Sequence, residues 1–316
     1  MEIQTIDITQ NKQTKHDARP SNWKDFIGQK PLVKIIKTAL QSAKTSGASL
    51  WHTLLTWPSW HGKTTLARLI ANDMGVRVHH ITAYALNKPA EIISLLNSLQ
   101  KNDILFIDEL HRLKPIIEEV LYVAMEDFSI DMLMPDGKPL RLTLHPFTLI
   151  GATTKPEALS TPLKNRFVYK LHFQEYSNEE KEEILTFHCN RLAIILEDTQ
   201  LSQRICSYVT AVPREIGNLS TQLHDWLIAH YGMHDRLVSY IRREQFRQDL
   251  QLQQWGLTAL HQQYMDILEH SDGRALWLKT IAVSLWMNEK AIEEDIEPLL
   301  LKLGKIEKTS KGRILV

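Results

Sequence analysis

The chain has 316 residues, with 37 basic and 37 acidic side chains and a formal net charge of zero. Any contact with nucleic acid must therefore come from a local basic patch and not from a global field. Apolar residues make up 43% and charged residues 23%, the balance of a globular protein with room for two or three cores, while two cysteines, Cys189 and Cys206, are too few for a disulfide framework or a zinc site and fit a reducing cytoplasm.

Residues 1–18 are polar, hold no segment that could act as a signal or span a membrane, and read as a flexible N-terminal arm. From about Pro20 to Phe173 short apolar runs alternate with helical spacing, which predicts an α/β unit with a mainly parallel sheet. The expected buried strands are "HTLLT" (52–56), "VRVHHIT" (76–82), "DILFID" (103–108) and "FTLIGATT" (147–154). Between them "KTTLARLIANDM" and "PAEIISLLNSLQ" have the apolar spacing of helices. Residues 129–146 alternate on both sides of Pro135-Asp136-Gly137, a hairpin signal. After Tyr176 the strands stop. Ser177 and Glu180 make a capping box, and helical patterns running to about Leu250 predict a small all-α domain. Three short helical stretches follow, then "GKIEKTSKGRILV", where two strands around Ser310-Lys311-Gly312 would complete a winged helix.

Gly62-Lys63-Thr64-Thr65, opening a helix directly after a strand, is the second half of G-x-x-x-x-G-K-[ST]. That pattern presents backbone N–H groups and a helix N-terminus to phosphate, a lysine to the β/γ-phosphates and a hydroxyl to Mg²⁺. "DILFIDEL" is an apolar strand ending in Asp108-Glu109. An acidic residue at the carboxyl end of a strand lies beside the loop of a neighbouring parallel strand, where Mg²⁺ would sit. Asp108 would hold the metal through water, and Glu109 would orient and deprotonate the attacking water. Hydrolysis between subunits also needs a cation for transition-state charge, for which Arg166 and Arg214 are candidates. Taken alone, each reads as a surface or ion-pair arginine.

The segments "RPSNWKDFIGQ", "HGKTTLARLIANDMGV", "DILFIDELHRL", "EEVLYVAMEDF", "PFTLIGATT", "STPLKNRF" and "VPREIGNL" occur in the order seen in the RuvB family. These are AAA+ motors that drive Holliday-junction branch migration, and the chain resembles them from about residue 19 to 316. The resemblance implies an AAA+ P-loop NTPase core (19–175), a small all-α lid (176–245) and a C-terminal winged-helix domain (246–316). It places Arg19 and Ile27 by the nucleotide base, Gly62, Lys63, Thr64 and Thr65 on the phosphates, and Thr64 with Asp108 on Mg²⁺. Asp108 and Glu109 become the Walker B pair, and Thr153 and Thr154 fall in the sensor-1 segment. Arg166 matches the finger acting on a neighbouring subunit's ATP, and Arg214 matches the sensor-2 arginine. The implied cofactors are ATP and Mg²⁺. The implied partners are duplex DNA at Holliday junctions, RuvA through the hairpin 129–146 (a few residues shorter than the family's), RuvC indirectly, and five further copies in a hexamer, with no membrane. Lys308, Lys311 and Arg313 are the expected phosphate contacts on DNA, since the helix before them is acidic. Other readings are a clamp-loader-like AAA+ ATPase and a non-hydrolysing DNA-binding or assembly subunit.

The departures are tryptophans. Trp57 stands where the motif has its first glycine, and Trp60 lies inside the loop, where indoles would strain the turn and intrude on phosphate. Trp277 and Trp286 also occupy positions where the family has glycine; Trp51 and Trp255 are ambiguous. Trp23 and Trp226 fit their slots. Glycine numbers 12, where average usage gives about 22, and tryptophan numbers 8, level with Phe and with Tyr. The remaining catalytic residues are intact, so a degenerate paralogue is disfavoured. The expectation is that UGA codons specifying glycine at 57, 60, 277 and 286 are written here as tryptophan.

Overall fold

The computed structural model describes residues 5–6, 20–56, 62–133, 138–210, 212–271 and 273–316. The chain divides into two units, Met1–Phe187 with Val212–Gly217, and His188–Ala211 with Asn218–Val316.

The first unit contains β1 (Thr5–Ile6), α1 (Lys30–Ser46), β2 (Thr53–Thr56), α2 (Lys63–Met74), β3 (Val78–Thr82) and α3 (Pro89–Ser98). Then come β4 (Ile104–Asp108), α4 (Pro115–Asp127), β5 (Ser129–Leu133), β6 (Pro139–Thr143), β7 (Thr148–Thr153), α5 (Thr161–Arg166) and β8 (Tyr169–His172). The six-stranded sheet has the order β1-β3-β4-β7-β2-β8. All its pairings are parallel except that of β1 with β3. Successive side chains on a strand face opposite ways, and the strands feed two cores accordingly. Leu105, Ile107 and Leu149 pack with residues of α3, α4 and α5. Ile104, Phe106, Ile150 and Ala152 pack with residues of α1 and α2 on the other face. Both faces are covered, which is why these strands read as continuous apolar runs. Each fully buried leucine or isoleucine contributes roughly 1.5–3 kcal/mol.

Outside the sheet, β5 and β6 form the expected antiparallel hairpin, with Ser129 opposite Thr143. Its turn residues, Pro135-Asp136-Gly137, lie outside the described part. The helix α6 (Asn178–Arg191) begins with the expected box: Ser177 N–H donates to Glu180 Oε2 (3.0 Å) and Glu180 N–H to Ser177 Oγ (3.2 Å).

The second unit holds β9 (Ile195–Leu196), α7 (Thr199–Cys206), most of α8 (Pro213–Tyr231), β10 (Leu237–Val238) and α9 (Tyr240–Asp249). The helices are as expected, but β9 and β10 form a parallel pair within the segment anticipated to be all-α. Two-residue strands are too short for any periodicity to announce them. The expected division at 245/246 falls within α9.

The rest is α10 (Ala259–Glu269), α11 (Leu278–Leu285), α12 (Glu289–Ala291), α13 (Glu297–Lys302), β11 (Ile306–Thr309) and β12 (Gly312–Leu315). A π turn, Ile292–Ile296, separates α12 from α13. Pro298 lacks the N–H that would continue the ladder there. The antiparallel wing, β11 with β12, is extended by a bridge from Leu276 to Arg313. Gly312 permits it: a Cβ at this position would stand 2.4 Å from the Leu276 carbonyl oxygen.

Candidate active site

The strands β2, β4 and β7 all end at the same edge of the sheet, and the expected catalytic residues collect there. Gly62 takes a left-handed backbone (φ 96°) and leads into α2. The first turn of α2 carries neither an acidic residue nor a side-chain cap, the condition in which helix N–H groups suit an anion. Lys63 is buried, 6% exposed. Burial pulls its pKa below the ordinary lysine value, while Asp108 and Glu109 oppose that shift. Thr64 and Thr65 follow, half-buried. A buried ammonium between two carboxylates and an uncapped helix start fits a phosphate group with its Mg²⁺. Thr64 and Asp108 are the residues that would hold the metal. Trp57 and Trp60 lie outside the described residues, as does Arg19.

The strand order changes one expectation. The Asp108 strand does not neighbour the strand that leads to the phosphate loop, because β7 lies between them, pairing Ile107 with Gly151 on one side and Thr56 with Thr153 on the other. Thr153 and Thr154 thereby sit between the lysine strand and the carboxylates. Asp108 Oδ1 accepts the Glu109 N–H (3.0 Å), and Glu109 has a left-handed backbone (φ 53°). Thr154 Oγ1 lies 3.5 Å from Glu109 Oε2.

His111 joins this group, and nothing in the spacing of the motifs singled it out. Its Nδ1 is 3.0 Å from Thr153 Oγ1 and 3.4 Å from Glu109 Oε2. Thr153 Oγ1 already accepts the Lys155 N–H (3.0 Å), so its own proton is available to His111. Burial lowers the His111 pKa, with Glu109 pulling the other way, which favours the neutral ring that this hydrogen bond requires. The "H" three residues after Asp108 was the available signal.

The two arginines occupy different settings. Arg166 ends α5 and is ion-paired with Glu126 of α4. Arg214 lies in the opening turn of α8, within the Val212–Gly217 segment that belongs to the first unit. Ile27 borders a cavity of about 1070 Å³ along α1, beside Phe26 and Lys34. A Cβ on Gly62 would stand 3.6 Å from the Phe26 ring, but neither Gly62, Asp108 nor Glu109 lines this cavity.

In the C-terminal elements the expected DNA contacts divide. Glu297 is fully buried. It accepts from Arg313 Nε (2.9 Å) and Tyr264 Oη (2.9 Å), and Lys308 Nζ is 2.6 Å away. Glu293 lies 3.0 Å from Arg313 Nη2. Burial alone would raise the Glu297 carboxyl, but hydrogen bonds from Arg313, Lys308 and Tyr264 hold it below its ordinary value. Two of the three expected cations are thus engaged by acidic residues of the preceding helical stretch. Lys311, at the exposed turn of the wing, has no ion pair among the described residues.

Residues 18–173 match the family model described as the Holliday junction DNA helicase RuvB P-loop domain, and residues 254–316 match the RuvB C-terminal winged helix domain. The Holliday junction branch migration complex subunit RuvB of Campylobacter concisus is 36% identical, over 94% of this chain and 88% of its own length. The same-named subunit of Sulfurimonas denitrificans is 33% identical, over 99% and 92%. Among solved structures, the Thermotoga maritima RuvB Holliday junction branch migration motor superposes with a TM-score of 0.79 at 31% identity, covering 95% of both chains.

Proposed function

This chain belongs to the RuvB family, and on that premise we propose that it is an ATP-dependent motor driving branch migration of Holliday junctions. The observation that carries the reading is the meeting of buried Lys63, the Asp108–Glu109 pair and the Thr153–Thr154 strand end at one edge of the sheet. Bound ATP with Mg²⁺ would supply a phosphoanhydride and neutralise its charge. Lys63 and the α2 N-terminus would hold the phosphates. Glu109 would orient water and accept its proton, with the Thr154 hydroxyl fixing the carboxylate. Arg214 would act in cis as sensor 2, and Arg166 would reach a neighbouring subunit's nucleotide after leaving Glu126.

The reading includes a ring of six copies working in the cytoplasm, RuvA docked on the β5–β6 hairpin, and RuvC contacted indirectly. It divides the subunit into ATPase, lid and winged-helix parts, with DNA phosphates met at the wing. Among the described residues no helix is long and apolar enough to cross a membrane. The hairpin and the wing disfavour a clamp-loader-like factor. Trp57 and Trp60 are the observation that favours a non-hydrolysing assembly subunit.

Glu109→Gln decides between motor and scaffold. The motor reading expects hydrolysis to fall by about 10²–10⁴-fold while ATP binding persists. A chain that binds ATP and hydrolyses it equally well with Gln at 109 would remove Glu109 from its role. A chain with no activity, even with glycine at 57 and 60, would favour the scaffold.

A further inference from the structure

Among the described residues α1, α2, α4, α8 and α11 are each followed by a residue with left-handed backbone. The residue after α1 is Gly47 (φ 67°, ψ 15°), its N–H directed at the Ala43 and Lys44 carbonyls. After α2 it is Gly75 (φ 67°, ψ 32°), directed at Ala71 and Asn72. After α11 it is Trp286 (φ 55°, ψ 38°), directed at Ala282 and Val283. The left-handed conformation brings the Cβ of an L-residue too close to its own backbone, a cost that glycine escapes. Trp286 gains nothing to offset it. Its side chain is 96% exposed and has no hydrogen bond or ring contact among the described residues.

Trp255 repeats the pattern. Its backbone (φ 67°, ψ 16°) nearly coincides with that of Gly47, and it is 54% exposed. Gln29, Asn102 and Phe128 also have positive φ, but their side chains have partners: Gln174, Ser49 and Phe147. Ala193 and Gln251 share the conformation without such a side-chain partner among the described residues, so the angle alone does not decide. The angle combined with a bulky, solvent-facing indole does.

The two tryptophans that fitted their slots are different. Trp226 is buried, donates from Nε1 to Asp249 Oδ2 (2.8 Å) and stacks on His230 at 4.6 Å. Trp23 meets Phe26 edge-on and lies under Lys37 Nζ. The Trp226 site is built around an indole, whereas the buried Trp23 Nε1 has ring and cation contacts but no hydrogen-bond partner among the described residues. Trp277 (φ −70°, ψ 144°) has a backbone open to any residue, so its assignment as glycine rests on the resemblance alone.

We infer that positions 57, 60, 255 and 286 are glycine in the protein the cell makes, encoded by UGA codons that one genetic code reads as glycine and another as tryptophan. Positions 23 and 226 are tryptophan. For 255 and 286 the inference rests on backbone geometry. For 57 and 60, which lie outside the described residues, it rests on the ATP-binding reading and on the sequence motif, whose first position is glycine. With glycine at 57 and 60 the loop leading to Gly62 and Lys63 has the full pattern of the motif, and the single defect in an otherwise complete catalytic set disappears.

The test reads the gene and the native protein. UGA at 57, 60, 255 and 286 with UGG at 23 and 226 is expected, and peptides of the protein purified from its own cells should carry glycine masses at the four positions. UGG at 255 and 286, or tryptophan in those native peptides, overturns the inference. UGG at 57 and 60 overturns it for the loop. A separate measurement compares ATP binding by the chain carrying Trp57→Gly and Trp60→Gly with the chain as written. Binding tighter by about tenfold or more is expected. Absence of binding despite glycine at both native positions would leave the recoding standing and remove the ATPase reading.

Discussion

Inside the first unit, His52 Nδ1 accepts the Leu149 N–H (2.9 Å), and its Nε2 lies 3.1 Å from the Met125 carbonyl. The ring is therefore neutral, with the proton on Nε2. Burial lowers its pKa from 6.5 to about 4, opposed in part by the Met125 hydrogen bond. Because the folded value is the lower one, the unfolded chain binds more proton between pH 4 and 6.5, and stability falls as pH falls through that window. At about 1.4 kcal/mol per unit the loss is roughly 3 kcal/mol. Urea midpoints measured from pH 7 to 4 should fall less steeply for His52→Gln than for the unaltered chain. Equal slopes would mean that His52 is not the group responsible.

At the scale of elements, the wing and the helical stretch before it are joined through one carboxylate. Glu297→Ala leaves Arg313 and Lys308 without their shared acceptor, at an expected cost of about 3 kcal/mol. Thermal or urea unfolding reads this directly, and a change below about 0.5 kcal/mol would show that the pair contributes little. The same arrangement assigns the DNA contact. Lys311→Ala should weaken duplex binding for all sequences alike and reduce the salt slope of log K by about one. Lys308→Ala should change that slope less, since Glu297 already engages its charge. A larger slope change at 308 than at 311 would reverse the assignment.

For the whole molecule, the proposed ring requires that each site be completed by a neighbour. Arg166→Ala should lower hydrolysis by about 10³-fold or more without altering ATP binding. Mixing that variant with Lys63→Ala subunits should restore part of the rate, because an Arg166→Ala site then meets an intact Arg166 beside it. No recovery on mixing, with rings still formed, would mean that Arg166 acts within its own subunit, where Glu126 already holds it.

Much of this is legible in the chain itself. The strands β2, β3, β4 and β7, the hairpin, the Ser177–Glu180 box and the wing all follow from periods and caps confined to a few neighbouring residues, and the phosphate loop and Asp108–Glu109 from short motifs. Two things were not legible because they depend on residues distant in the chain. The insertion of β7 between β4 and β2 brings Thr153 and His111 to Glu109, and strand order is set by how crossovers pack. The engagement of Lys308 and Arg313 depends on Glu297 being carried into the interior, which charge counting along the chain does not reveal. The sequence by itself determined the family, the catalytic residue types and the excess of tryptophan. Only the tertiary structure decided which tryptophans occupy backbone that suits glycine, because φ at a helix end is set by the hydrogen bonds that close the helix and not by the side chain written there.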